Sequence, residues 1–132
     1  MIEYASGGLL KADELDPFFQ HWKSPPSTAI RVALLKGSDF IATARDNNSL
    51  IGFITAISDH AMHAFITLVE VLEPYQGKGI GKRLVELATD HYKGSYDIVL
   101  ITDPDKGPFY KKLGFAEIYG MHIRDFTYSK TQ

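Results

Sequence analysis

The apolar positions of this chain change period twice, and the changes divide it into elements. Leu15, Phe18, Phe19 and Trp22 recur at helical spacing and predict a first helix over Ala12 to Trp22, with Pro17 inside it. Ser24-Pro25-Pro26-Ser27 breaks the chain, and a second helix is expected from Thr28 to Leu35. Strand character follows. Phe40 to Ala44 and Leu50 to Ile57 flank Asp46-Asn47-Asn48-Ser49, residues that tolerate left-handed backbone, so the pair reads as an antiparallel hairpin. After a connection over Ser58 to His63, Phe65 to Leu72 is nearly continuous in apolar residues. That is the pattern of a central strand covered on both faces.

The period then lengthens. Ile80, Leu84, Leu87, Ala88 and His91 share one face of an amphipathic helix, which ends at Lys93-Gly94. Ile98 to Thr102 is a second buried strand. Strand, helix and strand make a βαβ unit, whose strands should be parallel with a right-handed crossover. A short helix over Pro108 to Leu113 stops at Gly114, and Phe115 to Tyr119 with Met121 to Phe126 are expected to close the chain as an antiparallel pair. The fold class is mixed α/β: antiparallel strands at the front, one parallel crossover in the middle.

Composition narrows the function. A chain of 132 residues is expected to form one domain, residues 1–132, and 45% hydrophobic with 23% charged residues is ordinary globular usage. There is no cysteine, which excludes a disulfide scaffold, a thiolate metal site and a covalent cysteine intermediate, and fits a reducing cytoplasm. Fourteen Lys and Arg against 16 Asp and Glu give a net charge of −2, so no nucleic-acid partner is expected. No apolar run is long enough to span a membrane, and Met1-Ile2-Glu3-Tyr4 does not open a signal peptide.

The chemistry concentrates in Pro74-Tyr75-Gln76-Gly77-Lys78-Gly79-Ile80-Gly81-Lys82-Arg83, between the central strand and the amphipathic helix. Glycines at alternate positions leave backbone N–H groups bare to a ligand. Lys78, Lys82 and Arg83 crowd the positive end of the helix dipole, where cations are unfavourable unless an anion sits among them, and phosphate suits best. A Walker A loop would need Gly and Ser or Thr where Gln76 and Arg83 stand, and the dinucleotide pattern fails at Lys82 or Leu84. A plain tight turn with a solvated cationic face is the competing reading.

Gln76-x-x-Gly79-x-Gly81 after a strand resembles the acyl-CoA pyrophosphate loop of the GNAT (GCN5-related) N-acetyltransferases, and Phe109-Tyr110-Lys111-Lys112-Leu113-Gly114-Phe115 is similar to the family's second signature at the right distance. The resemblance covers at least Leu50 to Phe126 and points to the small single-domain members. It implies the GNAT-type fold, in which the central strand and the strand after the crossover splay apart around the pantetheine arm. It also implies acetyl-CoA as cosubstrate, no metal, and an amine acceptor attacked directly in a ternary complex. By this resemblance Val69 and Val71 offer backbone groups to the arm, the Val69 N–H polarises the thioester carbonyl, and Gln76, Gly77, Lys78, Gly79, Ile80, Gly81 and Lys82 hold the pyrophosphate. Tyr110 would protonate the departing thiolate. Asp103 stands where many members have Asn, and Lys106 where Ala is frequent; Lys106 faces either the CoA phosphates or solvent.

The general base is the open position. Phe65, Thr67 and Leu68 stand where many members carry an acid or His. Glu70 is on the strand with parity opposite to Val69 and Val71, and is either the base, through water, or a structural hydrogen-bond partner. Tyr110 read alone is a core residue as readily as a donor. His60 and His63 read as surface, and His122 and Arg124 as acceptor pocket or exposed edge. Asp13, Glu14, Asp16 and Asp59 are a solvated acidic face or an attraction for a polyamine or arylalkylamine. A non-catalytic acyl-CoA-binding sensor domain is the alternative to an enzyme. A homodimer is compatible with either.

Overall fold

The computed structural model describes residues 1–7, 10–125 and 127–128. Five strands form one mixed sheet: β1 (Ile2–Ser6), β2 (Phe40–Asp46), β3 (Ser49–Ser58), β4 (His63–Val71) and β5 (Asp97–Val99), in the order β1-β2-β3-β4-β5. The first three pairings are antiparallel and β4–β5 is parallel. Three helices accompany them: α1 (Thr28–Gly37), α2 (Ile80–His91) and the short α3 (Gly107–Lys112). Among the described residues no helix is long and apolar enough to cross a membrane.

The sheet has two apolar faces. On one, Ile51, Ile54, Ala56, Ala64 and Ile66 meet Ile80, Leu84, Val85 and Ala88 of α2. Here Gly52 is a packing requirement: a Cβ on it would lie 3.2 Å from the Glu70 carbonyl oxygen and 3.3 Å from both Ile80 and Leu84 side chains. On the other face Leu50 and Phe53 pack with Leu15, Phe18 and Phe19, and with Leu35 of α1. Two bulges set this division. Ile51 is the extra residue of β3 opposite β2, and Thr67 the extra residue of β4 opposite β3. After the Thr67 bulge, Leu68 sides with Phe53 and Val69 and Val71 side with α2, while Leu72 at the strand end touches both clusters.

Five expectations from periodicity need correction. The helix over Ala12 to Trp22 is only a 3-10 turn, Ala12–Leu15. Pro17 withholds a donor, and Phe19 takes φ 66, which no helix allows. The aromatic spacing instead builds a ring cluster, with Phe18 5.1 Å and Phe19 6.3 Å from Phe53 between centroids. The turn is tied to β2 by a two-pronged Glu14–Arg45 ion pair at 2.5 and 3.1 Å. Strand β1 was not expected, because five half-exposed residues give little periodic signal. The strand buried on both faces is β3, from Leu50 to Ala56, not β4. Strand β5 ends at Val99 rather than at Thr102. Finally, Phe115 to Tyr119 and Met121 to Asp125 form no strand pair; they carry no regular structure and are mostly exposed, and Phe126 lies outside the described residues.

Phe53 is fully buried between the sheet and the residue 10–22 segment. Truncation to Ala is expected to cost about 3–5 kcal/mol of unfolding free energy by chemical denaturation. It should also red-shift the fluorescence of Trp22, the only tryptophan, which leans on Phe19 at 5.0 Å. A loss below ~1 kcal/mol with unchanged fluorescence would show that the segment does not depend on this cluster.

Candidate active site

Parallel pairing between β4 and β5 is confined to His63↔Asp97, Ala64↔Ile98 and Phe65↔Val99. Beyond Phe65 the edge of β4 has no strand beside it among the described residues. Alternation shows which backbone groups face the gap. The Leu72 N–H donates to the Ile51 carbonyl at 2.9 Å, and the Glu70 carbonyl points at Gly52, so both face β3. Val69 and Val71 therefore turn their N–H and C=O groups toward the gap. One is already engaged: Gln76 Nε2 donates to the Val71 carbonyl at 2.9 Å. Sequence alone gave no signal for this contact.

The gap leads into the glycine turn. A 3-10 turn over Glu73–Tyr75 delivers the chain to Gln76, and Gly77 and Gly79 follow at φ 77 and φ 84. Both angles are left-handed, and a Cβ at either position would meet nothing within 4 Å, so the glycines serve the backbone conformation and leave open space outside it. Gly79 caps α2 without a side-chain bond, and the first helical turn carries no acidic residue. The first helical bond is Arg83 N–H to Gly79 C=O at 3.1 Å, so the amides before it face out of the helix end. Ile80 is buried under the sheet, and Lys78, Lys82 and Arg83 are exposed around that end. The Lys78 ammonium sits 5.7 Å from the Tyr75 ring centroid. The Tyr75 hydroxyl donates to Asp46 at 2.7 Å, bracing the turn against β2 and lowering the Asp46 pKa.

Glu70, Tyr110 and Lys106 share one electrostatic neighbourhood. Burial raises the pKa of Glu70, and the charges of Lys106 and His21 pull it part of the way back. Burial also raises the Tyr110 phenol, with a further push from the charge of Glu70. Tyr110 is held edge-on by Phe109 at 4.9 Å and by Phe115 at 5.8 Å. A half-buried carboxyl that favours its proton thus lies near a phenol that keeps its own. Lys106 is exposed and its charge acts on Glu70, which neither reading of its position included. His21 is an addition: its Nε2 is 3.8 Å from Glu73 on the segment before α1, and nothing in its sequence neighbourhood pointed to the cleft.

The remaining candidates lie elsewhere. Asp103 precedes the 3-10 turn Pro104–Lys106 and makes no side-chain cap. His60 and His63 pair with Asp39 at 2.6 Å and Asp59 at 3.5 Å. No group of three or more His, Asp or Glu among the described residues is placed to hold a metal. His122 and Arg124 sit on the exposed C-terminal segment. The acidic face is largely spoken for: Glu14 binds Arg45, Asp16 binds Arg31, and Asp59 accepts the Ala61, Met62 and His63 amides at 2.8 to 3.0 Å.

Comparison with known proteins agrees with this layout. A family model described as Acetyltransferase (GNAT) family matches residues 9–115. An uncharacterized N-acetyltransferase of Pyropia yezoensis is 32% identical over 101 residues, 73% of this chain and 58% of that protein. The protein named GCN5-related N-acetyltransferase 2, chloroplastic, of Arabidopsis thaliana is 40% identical over 86% of this chain and 53% of its own length. The chain thus spans little more than half the length of these curated relatives. Among solved structures, a GNAT-family acetyltransferase from Streptococcus pneumoniae superposes with a TM-score of 0.82 at 25% identity, covering 96% of this chain and 99% of that one.

Proposed function

The chain belongs to the GNAT acetyltransferase family, and on that premise we propose that it is an acyl-CoA-dependent N-acetyltransferase, moving an acetyl group from acetyl-CoA to a primary amine. One observation carries the reading: the strand-free edge of β4 beyond Phe65 runs straight into a bare glycine turn at the start of α2. An extended arm can lie along such an edge as a strand would, and a pyrophosphate suits the helix end and its cations. The residues present fit the group: Gly77 and Gly79 leave open space, and Gln76, Lys78, Gly81 and Lys82 adjoin them in the same turn and helix start.

In this reading the Val69 N–H holds the thioester carbonyl oxygen as charge builds on it. Glu70 takes the proton from the attacking amine, directly or through water. Tyr110 gives its proton to the departing sulfur; a phenol whose pKa is raised by burial and by Glu70 arrives protonated. No protein nucleophile is needed, in keeping with a chain that lacks cysteine. Asp103, after β5, would contact the arm from the far side of the gap. Residues 1–132 act here as one acetyltransferase domain, and the absence of cysteine suits a reducing compartment such as the cytoplasm.

Titration calorimetry is expected to show CoA binding that weakens with salt, and Lys82→Glu should lower affinity at least ~10-fold, since it places a negative charge where an anion is held. No binding at millimolar CoA would overturn the proposal, and binding with no release of free CoA across a broad amine screen would favour the sensor domain. Tyr110→Phe keeps the ring and its packing. It should cut turnover by at least ~10-fold, within the usual ~10²–10⁴-fold range of acid–base help, and leave CoA affinity unchanged. Near-full turnover would return Tyr110 to the core.

The third expectation concerns pH. A base must be ionised, so kcat/KM should rise with pH through the Glu70 pKa. Lys106 lowers that pKa. Lys106→Ala should therefore move the acidic limb of the profile to higher pH, and Glu70→Gln should abolish the limb. A limb unmoved by either change would assign the base elsewhere.

A further inference from the structure

The face of the sheet that carries Glu70 also carries a cavity of about 390 Å³, at the small end of the range for small-molecule sites (~300–1,000 Å³). Leu34 and Ser38, at the end of α1, form one wall. Thr55 and Ile57 of β3, with Thr67 and Leu68 of β4, form the floor. The Thr67 bulge brings this about: it places Thr67 and Leu68 successively on the α1 side, where strict alternation would have turned one of them away. Leu68 stands two residues before Glu70 with the same parity, so the two residues lie on one strand face with about 7 Å of backbone between them.

No charged residue lines the cavity. Its hydroxyls have already given up their protons. Ser38 donates to the Leu34 carbonyl at 2.6 Å. Thr67 Oγ1 donates to the Thr55 carbonyl at 3.0 Å, which leaves the Thr55 proton for the 2.7 Å bond between the two Oγ1 atoms. What the walls offer an occupant is methyl and methylene surface. A polar or ionic body seated there would find little more than the lone pairs of these hydroxyls in place of its hydration shell. Of the acidic residues that could have drawn a polycation, Glu14 is bound to Arg45, Asp16 to Arg31 and Asp59 to loop amides.

We propose that this cavity is the acceptor subsite and selects a primary amine carried on an uncharged, apolar body, aryl or branched alkyl, joined to the nitrogen by a short alkyl arm that passes Leu68 to reach Glu70. The inference rests on the acetyltransferase reading above and adds the substrate class to it. Aminosugars and diamines are disfavoured, because a hydroxylated ring or a second ammonium would have to occupy the cavity.

The test is a kinetic comparison with acetyl-CoA of 2-phenylethylamine and 3-methylbutylamine against 1,4-diaminobutane and glucosamine, alongside CoA calorimetry. The apolar amines should show kcat/KM at least ~10-fold higher. Ile57 is already 44% exposed at the rim, so Ile57→Asp should fold. It should raise KM for 2-phenylethylamine at least ~10-fold with kcat and CoA affinity little changed. Leu34→Ala, across the cavity on α1, should act in the same direction. Equal or better use of the diamine or the aminosugar, with CoA bound normally, would overturn the subsite and leave the acetyltransferase reading standing. So would indifference of KM to both variants. Failure to bind CoA, or binding without acetylation of any amine, would remove the acetyltransferase reading and this inference with it.

Discussion

Parallel pairing between β4 and β5 stops at Phe65 and Val99, and the β4 backbone beyond that point must satisfy its N–H and C=O groups in some other way. A buried, unpaired backbone group costs about 1–3 kcal/mol, so such an edge persists only where water or a ligand reaches it. Here Gln76 folds back to the Val71 carbonyl, and the Val69 groups face the gap. The divergence coincides with the Thr67 bulge, which re-aims β4 just as its ladder to β5 ends. The cleft, the orientation of Glu70 and the apolar cavity all follow from that one irregularity. Removing the bulge would exchange the faces of Leu68 and Val69.

The second constraint is the angle at which α2 meets the sheet. Gly52 lets Ile80 and Leu84 settle directly against β3, and the closeness fixes the helix start relative to the end of β4. The left-handed Gly77 and Gly79 turn the chain within a few residues, so the amides of the helix end open toward the gap rather than back into the core. At the other end of α2, the Tyr92 hydroxyl donates to Asp39 at 2.7 Å and anchors the helix against the start of β2. The helix is thus held at both ends, which keeps the glycine turn in register with the strand edge. The anion binding proposed for the turn would depend on this rigidity, because amides that must be reoriented on binding lose part of their advantage.

Much of this was legible in the sequence, for identifiable reasons. The β2–β3 hairpin has asparagines at its turn, and Asn47 and Asn48 indeed take φ 49 and φ 72. The α2 periodicity is strong because that helix has one face in the core and one in water. The glycine turn was readable because its chemistry is local: conformation and charge are properties of adjacent residues. What failed was non-local. Leu15, Phe18, Phe19 and Trp22 have helical spacing, but their apolar surface is satisfied by Phe53, far away in sequence, through a kinked segment. The C-terminal residues alternate like strands, yet no ladder partners them among the described residues. The settings of Glu70 and Tyr110 were equally hidden, since desolvation is created by chain segments distant in sequence. The threonine pair shows the same limit: Thr55 and Thr67 are ordinary strand residues until the bulge brings their hydroxyls to 2.7 Å.

The electrostatics of the cleft also suit the division of acid and base work proposed for Glu70 and Tyr110. Desolvation alone raises the pKa of both groups, which makes Glu70 a stronger base once ionised and keeps Tyr110 a proton carrier. The same burial makes Glu70 harder to ionise, and opposing charges correct that in part. Lys106 supplies the correction, and His21 adds to it when charged. Because Lys106 is exposed, its influence is screened by salt. The ionised carboxylate in turn opposes ionisation of Tyr110, so the state in which Glu70 can take a proton is also the state in which Tyr110 most firmly holds one. The two groups need no bond between them to be matched; one negative charge in a half-dry cleft is sufficient.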